Sequence, residues 1–213
     1  MRISQIVRIV FVAALGLCFA LPAVAQNIGV LQSAETMDRG TFKLMVAPIM
    51  VFGKDGADDE LGAAVRGGYA FTENFDAEAK LAFLENGTLV GADGEYWIYR
   101  GVERNSDLNV SLSGGLHWLL GSDNHFDTMG FEITPQLSGR VTKNLELCGA
   151  LLASFESIQD APQGVDDSYT TLHLVPGIEY HLSDTFDLVG EFGFGINDDS
   201  PHYVGAGITY YVR

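Results

Sequence analysis

Apolar residues fall on alternate positions of this chain, in ten successive stretches. Phe42, Leu44, Val46, Pro48, Met50 and Phe52 open the series, and Leu61, Ala63, Val65, Gly67, Tyr69 and Phe71 follow. Ala77, Ala79, Leu81 and Phe83 form a weaker third stretch; Tyr96, Ile98 and Val102 form a fourth, interrupted by Arg100. The second half is more regular. Val110 to Leu120, Met129 to Val141, Leu145 to Phe155, Leu172 to Leu182, Phe186 to Ile196 and Val204 to Val212 each follow the same alternation. Successive side chains of a strand point to opposite faces, so repeated alternation predicts strands rather than helices. From Thr41 onward the chain reads as all-β, with ten strands favoured and eight as the alternative.

The opposite face decides the solvent. A soluble barrel turns its apolar residues inward and covers its outside with lysine and glutamate. Here the face opposite the apolar stripe carries small and polar residues, as in Thr128, Gly130, Glu132, Thr134, Gln136, Ser138 and Arg140 of the sixth stretch. That pairing suits an apolar stripe facing lipid and a hydrated lumen. Stretches of roughly ten residues match a tilted strand crossing the hydrocarbon. Closing the sheet is the one way to leave no backbone unpaired in lipid. The expectation is an antiparallel up-and-down transmembrane β-barrel over residues 41–213, with residues 26–40 as a periplasmic lead-in.

Link lengths orient it. Thr72-Glu73-Asn74, Thr142-Lys143-Asn144 and Ser183-Asp184-Thr185 are short turns, with a slightly longer link from Glu103 to Asp107. Between them fall longer polar links: Gly53 to Glu60, Glu85 to Gly94, Gly121 to His125, Ser157 to Ser168 and Asn197 to His202. Short turns belong to the periplasmic side and longer loops to the outside. Pro48, Pro135 and Pro176 fall inside strands, where each removes a ladder donor and marks a bulge or open pairing.

The amino-terminal residues set the compartment. Arg2 and Arg8 precede an apolar run from Ile9 to Ala20, Pro22 breaks it, and Ala23-Val24-Ala25 precedes Gln26. That is a charged region, an apolar region and an A-x-A cleavage site, so residues 1–25 read as a secretory signal peptide. Cys18 follows Leu17, which disfavours a lipoprotein signal. Cleavage after Ala25 leaves Cys148 alone, with no internal disulfide and no Cys/His spacing that suggests zinc. The formal net charge of −16 repels phosphate, so nucleic acid is not an expected partner. Expected partners are outer-membrane lipid, lipopolysaccharide and the outer-membrane assembly machinery. The sequence leaves the oligomeric state open and implies no cofactor and no metal.

Three short turns share one pattern: Thr72-Glu73-Asn74-Phe75-Asp76, Thr142-Lys143-Asn144-Leu145-Glu146 and Ser183-Asp184-Thr185-Phe186-Asp187. With the stretch Gly177 to Gly195 and the lead-in Ser33-Ala34-Glu35-Thr36 to Phe42, the chain resembles the small bacterial outer-membrane β-barrel proteins over residues 33–213. The resemblance implies a multi-pass barrel in the bacterial outer membrane. Such proteins usually end on an aromatic residue, whereas this chain ends Tyr210-Tyr211-Val212-Arg213.

Inward-facing charges are the first candidate chemistry: Arg66, Lys80, Glu132, Arg140, Glu179 and Glu191, with Glu146 nearby in the pattern. They read either as a selectivity lining or as an ion-pair network filling a narrow lumen, and a ten-stranded barrel favours the second. Acidic loop residues Asp55, Asp58, Asp59, Glu60, Asp166 and Asp167 lack the spacing of a dedicated calcium loop and read as solvated charge. Enzymes on this architecture set two further tests. An omptin-type protease would draw on His125 and His202 beside Asp123, Asp127, Asp198 and Asp199 at the outer rim. A lipid A deacylase would draw on His181-Leu182-Ser183, which the topology puts at the periplasmic turn. Neither fits well, and no catalytic residues are assigned. The functional expectation is a non-enzymatic barrel acting as a narrow pore or structural membrane protein, with a surface binding or adhesion role through its external loops as the alternative.

Overall fold

A computed structural model describes residues 29–53, 59–85, 87–101, 107–121, 126–159 and 167–213. The expected signal peptide, Cys18, and the loop residues Asp55, Asp58, Asp123, His125 and Asp166 lie outside them. Ten strands form: β1 (Phe42–Val51), β2 (Glu60–Thr72), β3 (Phe75–Leu84), β4 (Gly87–Tyr99), β5 (Leu108–Gly121), β6 (Thr128–Arg140), β7 (Leu145–Ile158), β8 (Ser168–Ser183), β9 (Phe186–Gly195) and β10 (Tyr203–Val212). Each pairs antiparallel with its sequence neighbours, and β1 pairs with β10 to close the barrel.

The alternation becomes an inside-out surface. Phe42 is 57% exposed, Leu116 52%, Ile133 43% and Leu174 52%, while their strand neighbours Lys43, His117, Thr134 and His173 are buried. A contiguous apolar band facing outward on every strand is the surface of a membrane-spanning barrel. Aromatic rings gather towards both edges. At the end carrying the short turns, which link length assigns to the periplasm, Phe42 and Tyr69 have centroids 4.5 Å apart and Phe186 and Tyr210 4.8 Å. Towards the other end Phe131 and Phe155 are 4.6 Å apart and Phe192 and Phe194 4.3 Å. Amphipathic and aromatic rings of this kind form the girdle at a membrane interface.

The fourth strand corrects the expected links. The stretch Glu85 to Gly94, read as a long loop, belongs mostly to β4, which begins at Gly87. Small residues Gly91, Ala92 and Gly94 had erased the apolar stripe there. Gly91 has its own reason: a Cβ would lie 2.8 Å from Lys80 and 2.9 Å from His117. At the other end the connection between Tyr99 and Leu108 is the longest, where the sequence places its slightly longer link, Glu103 to Asp107.

The strand prolines behave alike. Pro48 pairs with Ala63 of β2 but drops out of the β1–β10 ladder, which skips from Val46 to Ile49. Pro135 pairs with Leu112 while the β6–β7 ladder skips from Ile133 to Gln136. Pro176 pairs with Gly149 while the β8–β9 ladder skips from Leu174 to Gly177. Each missing N–H opens one ladder and leaves the register intact. The register shifts fall elsewhere, at Ala70/Thr72, Trp97/Tyr99 and His181/Ser183, beside the periplasmic turns.

The barrel's core is inside its own lumen. Met45, Ala47, Ile49, Val51, Ala64, Ala82, Leu89, Leu119, Leu152, Val175, Val189 and Tyr203 form one buried apolar cluster, joined by Val30 and Leu31 from ahead of β1. The lumen is therefore part polar network and part packed apolar core, where the small polar face had suggested water.

Candidate functional site in the lumen

Residues 29–40, left by the sequence as a lead-in, enter the barrel from its periplasmic end. Gly40, with φ of +88°, donates its N–H to Ala70 O at 2.9 Å, next to the start of β1. From there towards its amino end the segment passes Ala34, fully buried, to Val30 and Leu31 in the apolar cluster.

Its backbone groups are answered by the wall. Glu191 of β9 accepts from Val30 N at 2.9 Å and from Leu31 N at 2.6 Å, one on each carboxylate oxygen. Gly29 and Leu31 have positive φ, +76° and +46°, which turns consecutive N–H groups into a concave anion-binding arrangement. Gly29 is required twice over, since a Cβ there would also run into the Glu191 carboxylate. Arg66 of β2 donates from Nη1 to Val30 O at 2.6 Å. Further down, Ser33 N donates to Glu179 Oε2 at 3.1 Å, Ala34 N to Ser138 Oγ at 3.2 Å and Met37 N to Asp76 Oδ2 at 3.3 Å. Gln32 bridges the wall, donating to Glu95 Oε2 at 2.8 Å and accepting from Lys43 Nζ at 2.9 Å. Strands on all sides of the lumen thus hold one short segment.

Beside it runs a chain of charge. Lys43 pairs with Glu78, and Glu78 with Arg66 Nε at 2.9 Å. Arg66 Nη2 reaches Asp93 at 2.9 Å, Asp93 meets Lys80 at 2.7 Å, and Lys80 meets Glu132 at 2.6 Å. His117 stands 3.5 Å from Glu132 through Nδ1 and 2.9 Å from Glu156 through Nε2. These side chains are buried, Glu132 a little less than the rest, and charges removed from water in this way must be paired to persist. Some links join adjacent strands along the wall, as Glu78–Arg66 and Asp93–Lys80 do, while Lys80–Glu132 spans from β3 to β6 and lays long side chains into the lumen.

The six candidate lumen residues therefore do three different things. Arg66, Lys80 and Glu132 belong to the charged chain, and Arg66 also holds the segment. Glu179 and Glu191 receive the segment's N–H groups. Arg140 sits at the periplasmic rim, half-exposed, with Nη2 2.9 Å from Glu35 of the segment. The sequence reading missed Lys43, Asp76, Glu78, Asp93, Glu95, His117 and Glu156. All seven carry the inward parity of their strands, a signal that could have found six of them; Asp93 lies in the half of β4 where small residues hide the alternation.

At the periplasmic mouth a vestibule of about 470 Å³ is lined by Gln32, Thr36, Lys43, Glu179, Asp187 and Tyr211 among others. Alongside Val30 and Leu31 a second cavity holds only about 10 Å³, room for a single water. Of the enzyme candidates, His202 Nδ1 accepts from Gly195 N at 3.0 Å. Ser183 Oγ accepts from Thr185 N at 3.3 Å in the β8–β9 turn, and His181 Nδ1 lies 3.1 Å from Asp187 Oδ1.

No protein-family description matches the chain, and no curated protein matches it in sequence. Solved structures do. An outer-membrane channel from Pseudomonas putida F1 superposes with a TM-score of 0.59 at 10% identity, over 87% of this chain and 100% of that one. The Yersinia pestis outer-membrane protein Ail aligns over 82% of this chain and 100% of its own, at 14% identity and a TM-score of 0.42. The KdgM porin aligns over 80% and 99%, at 11% identity and a TM-score of 0.45. The last two superpose too loosely to bear on this chain. The fold is that of the small bacterial outer-membrane β-barrels.

Proposed function

We propose that the protein is a non-enzymatic outer-membrane barrel that passes small solutes through a narrow pore, and that residues 29–37 are its plug. One observation carries the reading: a segment of the chain's own backbone occupies the lumen and is held by side chains of the wall rather than by a sheet ladder. Burying Val30 and Leu31 stabilises the closed arrangement by about 1.5–3 kcal/mol each, and each hydrogen bond to a charged group by about 1.5–3 kcal/mol. Ordering the segment costs about 1–2 kcal/mol per residue. Gains and costs are of the same order, which suits a reversible plug. The vestibule on the periplasmic side supplies the room for a released segment.

Planar-bilayer recording tests it. The intact protein should conduct rarely or in small steps, and a variant lacking residues 29–36 should give a larger, stable conductance. A folded variant that still fails to conduct would leave the barrel a structural membrane protein, with its external loops as the place to look for binding.

A further inference from the structure

At the periplasmic mouth three adjacent strands bring four metal-binding side chains onto neighbouring inward positions. Glu146 of β7 stands opposite Glu179 of β8, and His181 of β8 opposite Asp187 of β9. Ligand atoms of Glu179, His181 and Asp187 all lie within 4.8 Å of one another. His181 Nδ1 is 3.1 Å from Asp187 Oδ1, and its Nε2 is 3.8 Å from Glu146 Oε2.

Glu146 points independently to a ligand. It is fully buried, and neither carboxylate oxygen meets a hydrogen-bond donor in good geometry. His181 Nε2, the nitrogen facing it, is in the same position. Arg140 lies 3.9 Å from Glu146, but its side chain is 49% exposed and is already paired with Glu35. Three acids and one imidazole thus converge with no buried cation beside them among the described residues, unlike the charged chain deeper in the lumen. A carboxylate left unpaired away from water is costly, and one divalent ion between Glu146 and His181 Nε2 would meet both unpartnered groups.

We propose that Glu146, Glu179 and His181 Nε2 form a binding site for a first-row divalent transition-metal ion, entered from the periplasmic vestibule, with Asp187 holding the opposite ring nitrogen and so orienting the imidazole. Imidazole together with carboxylates selects such an ion over calcium or magnesium, which take oxygen ligands alone. The vestibule leaves coordination positions for water. Only Glu179 is shared with the segment, through its bond from Ser33 N.

Calorimetric titration of the folded protein in detergent with Zn²⁺ tests the site. A saturable single-ion isotherm is expected, weakened by about tenfold or more in His181→Ala and in Glu146→Gln, with heat-modifiable gel migration showing that both barrels fold. No saturable binding, or binding unchanged in the two variants, overturns the proposal. A measurement on the native protein covers variants that do not fold. Zn²⁺ should slow carbethoxylation of His181, mapped by mass spectrometry, while leaving His202 unaffected, and equal rates with and without Zn²⁺ overturn it. Neither experiment depends on conductance, so this site and the pore stand or fall separately.

Discussion

Glu191 shows how much one lumen side chain decides. Both of its oxygens accept from consecutive N–H groups of the segment, an arrangement that needs two acceptors and a negative charge. Glu191→Gln keeps the size but replaces one acceptor by a donor that faces an N–H group. The closed arrangement should lose about 1.5–3 kcal/mol, enough to raise the open population about tenfold or more. Single-channel open probability reads this directly, and an unchanged value would detach Glu191 from the plug. The inward parity of Glu191 and Arg66 was legible in the sequence because alternation assigns every strand residue a face. What they hold was not legible. Their partners are backbone groups of residues 29–31, and peptide N–H and C=O groups leave no mark in a sequence.

At the scale of the strand, reading by alternation works where side chains are large and fails where they are small. β5 and β6 were legible nearly to their ends, since Leu116, Trp118, Met129 and Phe131 mark the lipid face without ambiguity. The first half of β4 was lost, because Gly91 and Ala92 look alike on both faces. The prolines were legible as interruptions, and each opens the ladder on one side only. Pro135→Ala should therefore restore an N–H facing β7 and close the gap between Ile133 and Gln136. The expected gain is at most about 0.5–1.5 kcal/mol, seen as a higher urea midpoint in lipid and as slow hydrogen exchange at the new amide. Rapid exchange there would mean that the gap has another cause, such as local strand bending. The metal-type cluster was invisible for a different reason. His181 and Asp187 are brought opposite each other by the β8–β9 hairpin, and Glu146 arrives from a third strand, so no linear spacing records them.

For the whole molecule, the apolar band outside and the acidic interior together explain a chain that is strongly negative overall yet rich in surface phenylalanine and leucine. The same division made destination easier to read than action, since the lipid face is written in every strand and the lumen's contents depend on long-range pairing. One feature reaches into the history of each molecule. The segment inside the lumen continues directly into β1, and β1 is one of the two edges that meet at the closing seam with β10. Sealing that seam and filling the interior should then be a single event, with the amino-terminal stretch as the mandrel on which the cylinder is rolled. Time-resolved folding into vesicles should show this as one kinetic phase in the intact chain, and as slower closure when residues 29–36 are removed. Equal closure rates would mean that the cylinder forms first and is stoppered afterwards, like a bottle corked after it is blown.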